Sequence, residues 1–286
     1  EHYNQLGYDN NTITGVTFAA RNPGSWGNGI RVATIDGLAD QIIGINTAGI
    51  GFATVSNIPS SMVGLGVTQT IPLGTTVVGA GSTSSLDGFL KGIITQELGN
   101  NKFGVKVVSH VSAAGTETNV DYAESGIYRF RTGFNTVGAS TTVDTGSIGI
   151  ITATSGANTT IGYAGTIASA IDWFNEQTLT LTGAGSTITW NSIVERPGTS
   201  SYAEARNARF DEIHVLVIDG AGEVTGNAGT ILEKHVSLSK AKDAEYSVGS
   251  TAYWRKYLYN TSTNVFGGSQ PAGVVAASFG TGYAAA

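Results

Sequence analysis

Cysteine is absent from the 286 residues, which excludes disulfide bonds and thiolate chemistry. Charged residues make up only 13% of the chain, and the net charge of −6 offers no basic face for nucleic acid. No apolar run approaches the ~20 residues that cross a bilayer, so we expect no membrane insertion. The chain starts without a methionine or a signal-like segment, and we interpret it as a piece of a longer protein.

Sequence motifs for catalysis, phosphate binding and metal binding are also missing. The four histidines, His2, His110, His214 and His235, show no metal-ligand spacing such as HxxxH. The chain has neither a phosphate-binding GxxxxGK[ST] loop nor a GxSxG serine turn. We therefore predict no enzyme activity and no cofactor. His214 lies in an apolar run, which favours a hydrogen-bonded histidine of the core.

Acidic residues raise two further possibilities, a calcium loop and a pair of glycosidase carboxylates. The segment 219–233 is acidic at both ends, but Ala221 and residues 224–226 break the alternation of oxygen ligands that calcium needs. The carboxylates available for a glycosidase pair are Asp211, Glu212, Asp219 and Glu223. Asp211 and Glu212 are neighbours on a predicted strand, so they point to opposite faces. We interpret these carboxylates as solvated strand ends and turns.

Glycine is abundant, with 40 residues against only 5 prolines, and this balance is typical of short strands joined by tight turns. Residues 41–165 carry 11 charged side chains in 125 positions and alternate strand candidates with small-residue turns. The candidates are Thr70–Val78, Phe89–Thr95, Phe103–Val111, Gly126–Phe130 and Ile148–Ala153. This spacing favours an antiparallel barrel or sandwich.

The two flanks of this segment predict a mixed α/β domain. Residues 16–20 and Ile30–Ile35 alternate as two short strands. The continuous apolar run Ile213–Ile218 predicts a central strand buried on both faces, followed by a turn and a strand at Thr230–Leu238. Ser250 is a candidate N-cap for a helix that continues to Tyr259.

A dense set of turn signals, "RNPGSWGNGIRVA" at Arg21–Ala33, joins the first two strands. Gly24, Gly27 and Gly29 permit positive φ, where other residues clash, and Asn28-Gly29 is a typical pair for a tight turn. Trp26 is the only bulky side chain of the bend, and its burial would fix the bend. On that hypothesis Trp26→Ala destabilises the protein by about 3–5 kcal/mol.

The same bend carries a family resemblance. "ARNPGSWGNGIRVATID" (Ala20–Asp36) resembles the Pro-Gly-x-Trp-Gly-Asn-x-x-x-Val signature of contractile phage tail sheath proteins of the T4-like myovirus type. A second block, "WNSIVERPGTSSYAEARNARFDEIHVLVIDGAGEVTGNAGTILEKHVSLSKAKDA" (Trp190–Ala244), is similar to the sheath segment in which a Val-Leu-Glu strand precedes "LSKA". "DWFNEQTLTL" (Asp172–Leu181) also resembles sheaths of large T4-like phages. The motif residues are Pro23, Gly24, Trp26, Gly27, Asn28, Gly29, Pro197, Gly198, Asp219, Gly220 and Glu233.

The resemblance implies a domain organisation. Residues 1–40 and 166–286 would form a discontinuous sheath middle domain, and residues 41–165 an inserted, outward-facing β-rich domain. The expected fold class is α+β, predominantly antiparallel β, with a β-barrel or sandwich inserted into a mixed α/β middle domain. The inner α/β domain and the terminal arms of sheath proteins are not visible in this sequence, so the chain corresponds to the outer part of a subunit.

The resemblance also implies a function. The chain would be a structural component of a contractile virus tail, located in the virion and assembled in the host cytoplasm. Its partners would be other sheath subunits in a helical assembly and, through the parent protein, the tail tube and the baseplate. Rearrangement from an extended to a contracted lattice would drive the tube through the host envelope. For the isolated chain we expect a monomer.

Two other functional classes remain open on sequence alone. One is a β-rich virion fibre or adhesin module that binds glycans, in which aromatic side chains would form a sugar platform. The candidates for the platform are Tyr253, Trp254, Tyr257 and Tyr259. Their helical spacing favours the packing of a helix onto a sheet instead. The second class, a secreted glycosidase, has less support.

Overall fold

The computed structural model describes residues 16–22, 24–52, 61–79, 82–120, 127–134, 146–155, 159–182, 185–269, 274–275 and 278–279. Within them the chain divides into two compact units. The first comprises residues 1–38 and 175–286, and the second comprises residues 39–174. The fold is rich in strands, with a closed antiparallel barrel and additional sheets, which confirms the predicted β-rich α+β class.

The strands are numbered in chain order. They are β1 Phe18–Ala20, β2 Ile30–Asp36, β3 Gln41–Phe52, β4 Gly66–Gly79, β5 Ser82–Glu97, β6 Lys102–Val111, β7 Glu117–Asn119, β8 Ser147–Ser155, β9 Thr159–Asp172, β10 Thr178–Thr180, β11 Thr187–Thr189, β12 Glu212–Asp219, β13 Thr230–Ser239, β14 Glu245–Ser247, β15 Ser250–Thr251, β16 Val265–Gly267, β17 Val274–Val275 and β18 Ser278–Phe279. The α-helices are α1 Ser201–Glu204 and α2 Trp254–Thr261, and 3₁₀ turns lie at Ser25–Gly29, Phe174–Glu176 and Trp190–Ser192.

The second unit is a six-stranded antiparallel barrel. Its strand order is β3-β9-β8-β4-β5-β6, the β3–β6 pairing closes the barrel, and β7 extends the sheet beside β6. Apolar residues two positions apart face the interior, as the two-residue period of a strand requires. The buried core residues are Ile43, Ile45, Val67, Ile71, Leu86, Leu90, Ile94, Val105, Val107, Val120, Phe130, Phe134, Ile148, Ile150 and Ile167. Closure leaves β3 and β6 paired on both sides, as expected for a barrel.

One predicted strand of this unit is wrong. Gly126 lies outside the described residues, and residues 127–131 form a turn and irregular backbone although Phe130 is only 1% exposed. Side-chain amides replace the sheet partners of this segment. Gln41 bonds both the N–H and the carbonyl of Phe130, at 2.8 and 3.0 Å, and Gln69 does the same for Arg131, at 2.9 and 2.7 Å. The other four predicted strands lie within β4, β5, β6 and β8.

The first unit contains a three-stranded antiparallel sheet of order β13-β12-β2. The central strand β12 is buried along nearly its whole length, which confirms the prediction from the apolar run. A second pair, β1 with β16, lies in the same unit. Trp254 and Leu258 of α2 pack with Ile213 and Val215 of β12 to form the core of this unit.

The helix begins later than the sequence predicted. Ser250 lies in β15, which pairs with β14, and the residue at the N-cap position of α2 is Tyr253. The short hairpin β14–β15 takes up the polar segment that would have formed the first helical turn. The helix also continues past the predicted end at Tyr259 to Thr261.

The chain crosses between the two units at two points, after residue 38 and after residue 174. The predicted second boundary, at 165/166, falls inside β9, which continues in the barrel to Asp172. Because the strand pattern continues unbroken through residues 165–166, the local sequence did not indicate where the chain leaves the barrel. The assignment of the first unit to a sheath middle domain stays a prediction.

Candidate functional site

The bend between β1 and β2 is a single 3₁₀ turn, Ser25–Gly29, and not a tight two-residue turn. Of the three glycines at this bend, only Gly24 has positive φ, so Gly27 and Gly29 do not use the backbone freedom that glycine permits. The last two are needed for space instead. A Cβ on Gly27 would lie 3.1 Å from the Ala20 Cβ, and one on Gly29 would lie 2.9 Å from the Ala221 Cβ. Pro23 lies outside the described residues, and Asn28 is exposed.

Trp26 is half-buried, which contradicts the predicted burial of this side chain. Its indole folds back over the bend, because a Cβ on Gly24 would lie 2.7 Å from the indole Cδ1 and Nε1 atoms. The bend is therefore shaped by close backbone packing as well as by the tryptophan.

Truncating a fully buried aromatic side chain to alanine costs about 3 kcal/mol or more. Because Trp26 is only half-buried, Trp26→Ala is expected to lower the free energy of unfolding by less than that. The matched control is Trp254→Ala, since Trp254 is 0% exposed and should cost about 3–5 kcal/mol. Urea unfolding of the two variants measures the difference. Equal losses of stability would show that Trp26 is a core residue.

The bend packs against the loop that follows β12. The amide of Ala221 donates to the carbonyl of Gly29 at 3.2 Å. Gly220 is buried, and a Cβ there would lie 2.7 Å from the Arg31 side chain, which would have to move to make room. The motif residues 24–29 and 219–220, which are far apart in the chain, therefore meet at one end of the sheet.

The buried carboxylate of Asp219 binds the loop that follows β12. It is 0% exposed, which contradicts its interpretation as a solvated turn residue. Its Oδ2 atom accepts hydrogen bonds from the amides of Val224 (3.0 Å) and Thr225 (2.7 Å) and from the Thr225 hydroxyl (2.9 Å). Burial alone would raise the pKa of Asp219, but these hydrogen bonds outweigh it and lower the pKa. The Oδ2 atom of Asp219 therefore ties the loop to the end of β12.

The second motif pair, Pro197-Gly198, lies at the opposite end of β12. Pro197 is buried, and the amide of Gly198 donates to Glu212 Oε2 at 2.8 Å. The Glu212 amide donates in turn to the Gly198 carbonyl at 3.2 Å. Glu212 thus fixes the chain that leads into α1.

Asp211, next to Glu212, is fully buried, so its predicted role as a solvated strand end is also wrong. It accepts from the amide and hydroxyl of Ser200, at 2.8 and 2.7 Å, and from the hydroxyl of Ser239. Ser200 also caps α1, since its Oγ accepts from the Ala203 amide at 3.1 Å. Asp211 therefore ties the entrance of α1 to the end of β13. Glu223, by contrast, is exposed.

Glu233 on β13 is the most heavily bonded side chain of the motif. Its carboxylate accepts from the hydroxyls of Ser262 (2.6 Å) and Thr263 (2.7 Å), the amide of Asn264 (3.0 Å) and the Nε2 atom of His235 (2.8 Å). Burial would raise its pKa, but the hydrogen bonds from Ser262, His235 and Thr263 lower it to about 2. Glu233 thereby fixes the loop between α2 and β16 to the sheet.

A buried ion pair joins the ends of the two resemblance blocks. Lys240 Nζ, in the "LSKA" segment, lies 3.2 Å from Asp36 Oδ2 at the end of β2, and both side chains are at most 2% exposed. The other oxygen, Asp36 Oδ1, has no hydrogen-bond partner among the described residues. Lys240 is thus the cation that compensates a buried carboxylate.

Arg21, which follows β1, binds to the carboxyl end of α2. Its Nη2 atom donates to the carbonyls of Leu258 and Tyr259 in the last turn of α2. A cation at this position is favourable, because the carboxyl end of a helix carries partial negative charge. The guanidinium also lies 4.3 Å from the Phe266 ring centroid.

His214 is a buried, neutral histidine, which confirms the prediction from the sequence. It is 2% exposed, its Nε2 lies 2.9 Å from the Glu195 carbonyl, and its Nδ1 accepts from the Ser237 amide at 2.8 Å. Burial lowers its pKa from 6.5 to about 4 despite the hydrogen bond to Glu195. Nε2 must carry the proton, since Nδ1 faces a donor.

The aromatic residues proposed as a sugar platform do not form one. Tyr253 and Trp254 are 1% and 0% exposed and pack in the core. Tyr257 is half-buried against the same cluster, and Tyr259, at 47%, is the one exposed member of the four. Helix packing is therefore the role of at least Tyr253 and Trp254.

Most of the carboxylates described above hold neighbouring backbone in place. Four carboxylates accept hydrogen bonds from neighbouring amides or hydroxyls, namely Asp211, Glu212, Asp219 and Glu233. In residues 16–269, gaps excepted, no group of three or more metal-ligating side chains converges. None of the helices in the described residues has the length and apolarity needed to cross a membrane. The motif residues lie mainly at the two ends of the β13-β12-β2 sheet, where they fix the neighbouring loops.

Comparisons with known proteins give no relative. No protein-family model, no curated protein and no solved structure matches this chain.

Proposed function

We propose that this chain is the outer part of a subunit of a contractile virus tail sheath. The observation that carries the proposal is the pairing of β2 with β12. These strands belong to the two resemblance blocks, and they pair in continuous register from Ile30 opposite Asp219 to Asp36 opposite Ile213. Segments that resemble sheath proteins at distant positions of the chain thus form one sheet.

The contacts of the motif residues support the same proposal. Gly29 meets Ala221, and Asp36 pairs with Lys240, so each contact joins one block to the other. These residue types are required by packing and by buried hydrogen bonds within the unit. A signature made of such residues would be retained for the fold of a sheath domain, and it needs no catalytic explanation.

The proposed mechanism is mechanical. Subunits in an extended helical lattice would rearrange into a shorter and wider lattice, moving mainly as rigid bodies. New contacts between subunits would supply the free energy. The barrel, as an inserted unit, would be carried along by the sheath domain into which it is inserted.

Negative-stain electron microscopy of the complete polypeptide, beside this chain alone, tests the proposal. Striated helical tubes from the complete polypeptide and single small particles from this chain are the expected result. Compact trimers, or the absence of tubes under conditions in which the complete polypeptide is folded, would contradict it. Trimers would favour the fibre or adhesin class.

A further inference from the structure

Polar side chains lie among the apolar residues that face the interior of the barrel. Gln41 of β3 and Gln69 of β4 each lie two positions from a core residue of the same strand, so they face inward with it. His110 lies opposite a core leucine of β5 and faces inward as well. The three side chains are 2%, 0% and 6% exposed, so their polar atoms need partners within the protein.

Residues 127–134, hereafter the inner segment, supply partners for both glutamines. Gln41 accepts from the amide of Phe130 at 2.8 Å and donates to its carbonyl at 3.0 Å. Gln69 accepts from the amide of Arg131 at 2.9 Å and donates to its carbonyl at 2.7 Å. Because the partners are backbone groups, these contacts do not depend on which side chains the inner segment carries.

Aromatic side chains of the inner segment contact the strands of the barrel. Phe130 is 1% exposed and belongs to the barrel core. Its ring lies against β5 at Gly92, where a Cβ would lie 2.8 Å from the Phe130 Cε2 atom, so glycine leaves the space that the ring fills. Tyr128 stacks on His110, with the ring centroids 5.1 Å apart. These contacts favour an aromatic side chain at position 130.

We infer that the barrel interior is a peptide-binding site, which the inner segment of the same chain occupies as a built-in ligand. Residues 127–131 belong to none of the strands, so side chains of the barrel hold this backbone in place of a sheet ladder. A ligand held by such hydrogen bonds and by one buried ring needs no covalent continuity with the barrel. The same peptide therefore binds as a separate molecule when the site is empty.

The ligand class is a short peptide with one phenylalanine, whose backbone at that residue and at the next one pairs with the two glutamines. The inference concerns the barrel alone and does not depend on the proposed function.

Peptide binding to a chain without its inner segment tests the inference. In the test variant a Gly-Ser stretch of equal length replaces residues 127–134, and the probe is a fluorescent peptide of those residues, IYRFRTGF. We expect saturable binding, measured by fluorescence anisotropy. Binding to the wild-type chain should be at least about ten-fold weaker, because the inner segment is present there at high effective concentration.

Two altered peptides of the same charge provide the matched controls. The peptide with Phe130→Ala lacks the buried ring and should bind at least about ten-fold more weakly. The peptide with Thr132→Ala should bind as the unaltered peptide does, since Thr132 is exposed. Equal binding of all three peptides, or equal binding to the test variant and the wild-type chain, would overturn the inference.

A second variant, Phe130→Ala in the full chain, serves if the Gly-Ser replacement prevents folding. The unaltered peptide should raise the melting temperature of this variant, whereas the peptide with Phe130→Ala should not. A replacement variant that folds only when the unaltered peptide is added would also support the inference. Absence of both binding and stabilisation in the two variants would overturn it.

Discussion

Replacing Lys240 by methionine is expected to lower the free energy of unfolding by about 3–5 kcal/mol. The substitution removes the cation that lies 3.2 Å from Asp36 and leaves a carboxylate that is only 2% exposed in the core. An uncompensated buried charge is costly, because water no longer solvates it and Lys240 is the one ion-pair partner of Asp36 among the described residues. Urea unfolding at pH 7 measures the loss.

Two further variants separate the ion pair from general effects of the substitution. Asp36→Leu combined with Lys240→Met should recover most of the loss, since an apolar pair can replace a buried ion pair. Lys91→Met removes one partner of the exposed Lys91–Glu117 pair, whose side chains are 41% and 52% exposed, and should change stability little, because solvent screens the pair. A Lys240→Met variant as stable as Lys91→Met would contradict the buried pairing.

Acid is expected to destabilise the first unit through His214, by about 3 kcal/mol between pH 6.5 and pH 4. The unfolded chain binds a proton at this histidine below pH 6.5, whereas in the folded protein its pKa is lowered to about 4. Folding therefore competes with protonation as the pH falls through this window. The stability contribution is complete well above pH 6.5, falls as the pH drops towards the folded pKa of about 4, and levels off below it.

His214→Gln should remove this slope, because glutamine carries a donor and an acceptor but does not titrate in this range. The free energy of unfolding, measured in urea from pH 7.5 to 4.5, gives the comparison. Glu233, with its pKa lowered to about 2, acts at lower pH, where protonation of the unfolded chain begins near pH 4.5. A wild-type profile that is flat from pH 7.5 to 4.5 would contradict the buried neutral state of His214.

The strand composition of the fold follows from local patterns. The run Ile213–Ile218 has apolar residues at consecutive positions, and a strand buried on both faces is what that pattern predicts. In the barrel, alternating apolar residues and small-residue turns located β4, β5, β6 and β8. Alternation specifies a strand and its inner face, so barrel and sandwich could not be distinguished before the β3–β6 pairing was seen.

The errors arise where distant residues decide local structure. Phe130 has no sheet partner because the amide of Gln41, 89 positions away, takes that place, and no local pattern records this. Gly29 is required by the Ala221 side chain, and not by its own backbone angle. The second boundary was predicted at 165/166, which lies inside β9, whereas the chain passes to the other unit only after residue 174.

The candidate site was located by resemblance, but the roles of its residues were not. Asp211 and Asp219 were interpreted as solvated residues, because a lone carboxylate beside a turn is normally exposed. Their partners are hydroxyls and amides up to 28 positions away, and these become neighbours only in the folded unit. The sequence signal that could have indicated buried carboxylates was the set of short hydroxyl side chains that can donate to them, namely Ser200, Thr225 and Ser239.

The central claim is that a barrel is inserted into a domain of a sheath subunit, and removing the barrel tests it most directly. The entry and exit strands are adjacent, since Gln41 pairs with Asp172 and the Trp173 amide donates to the Asp40 carbonyl at 3.0 Å. A short Gly-Ser linker can therefore replace residues 39–174 in the complete polypeptide. Circular dichroism first establishes that the shortened polypeptide is folded.

Electron microscopy then compares the assemblies of the intact and shortened polypeptides. The account predicts helical tubes from both, with the same axial repeat and a smaller outer diameter when the barrel is absent. A folded, shortened polypeptide that forms no tubes, while the intact one does, would show that the barrel is part of the polymerising body. Absence of tubes from both would contradict the sheath assignment itself.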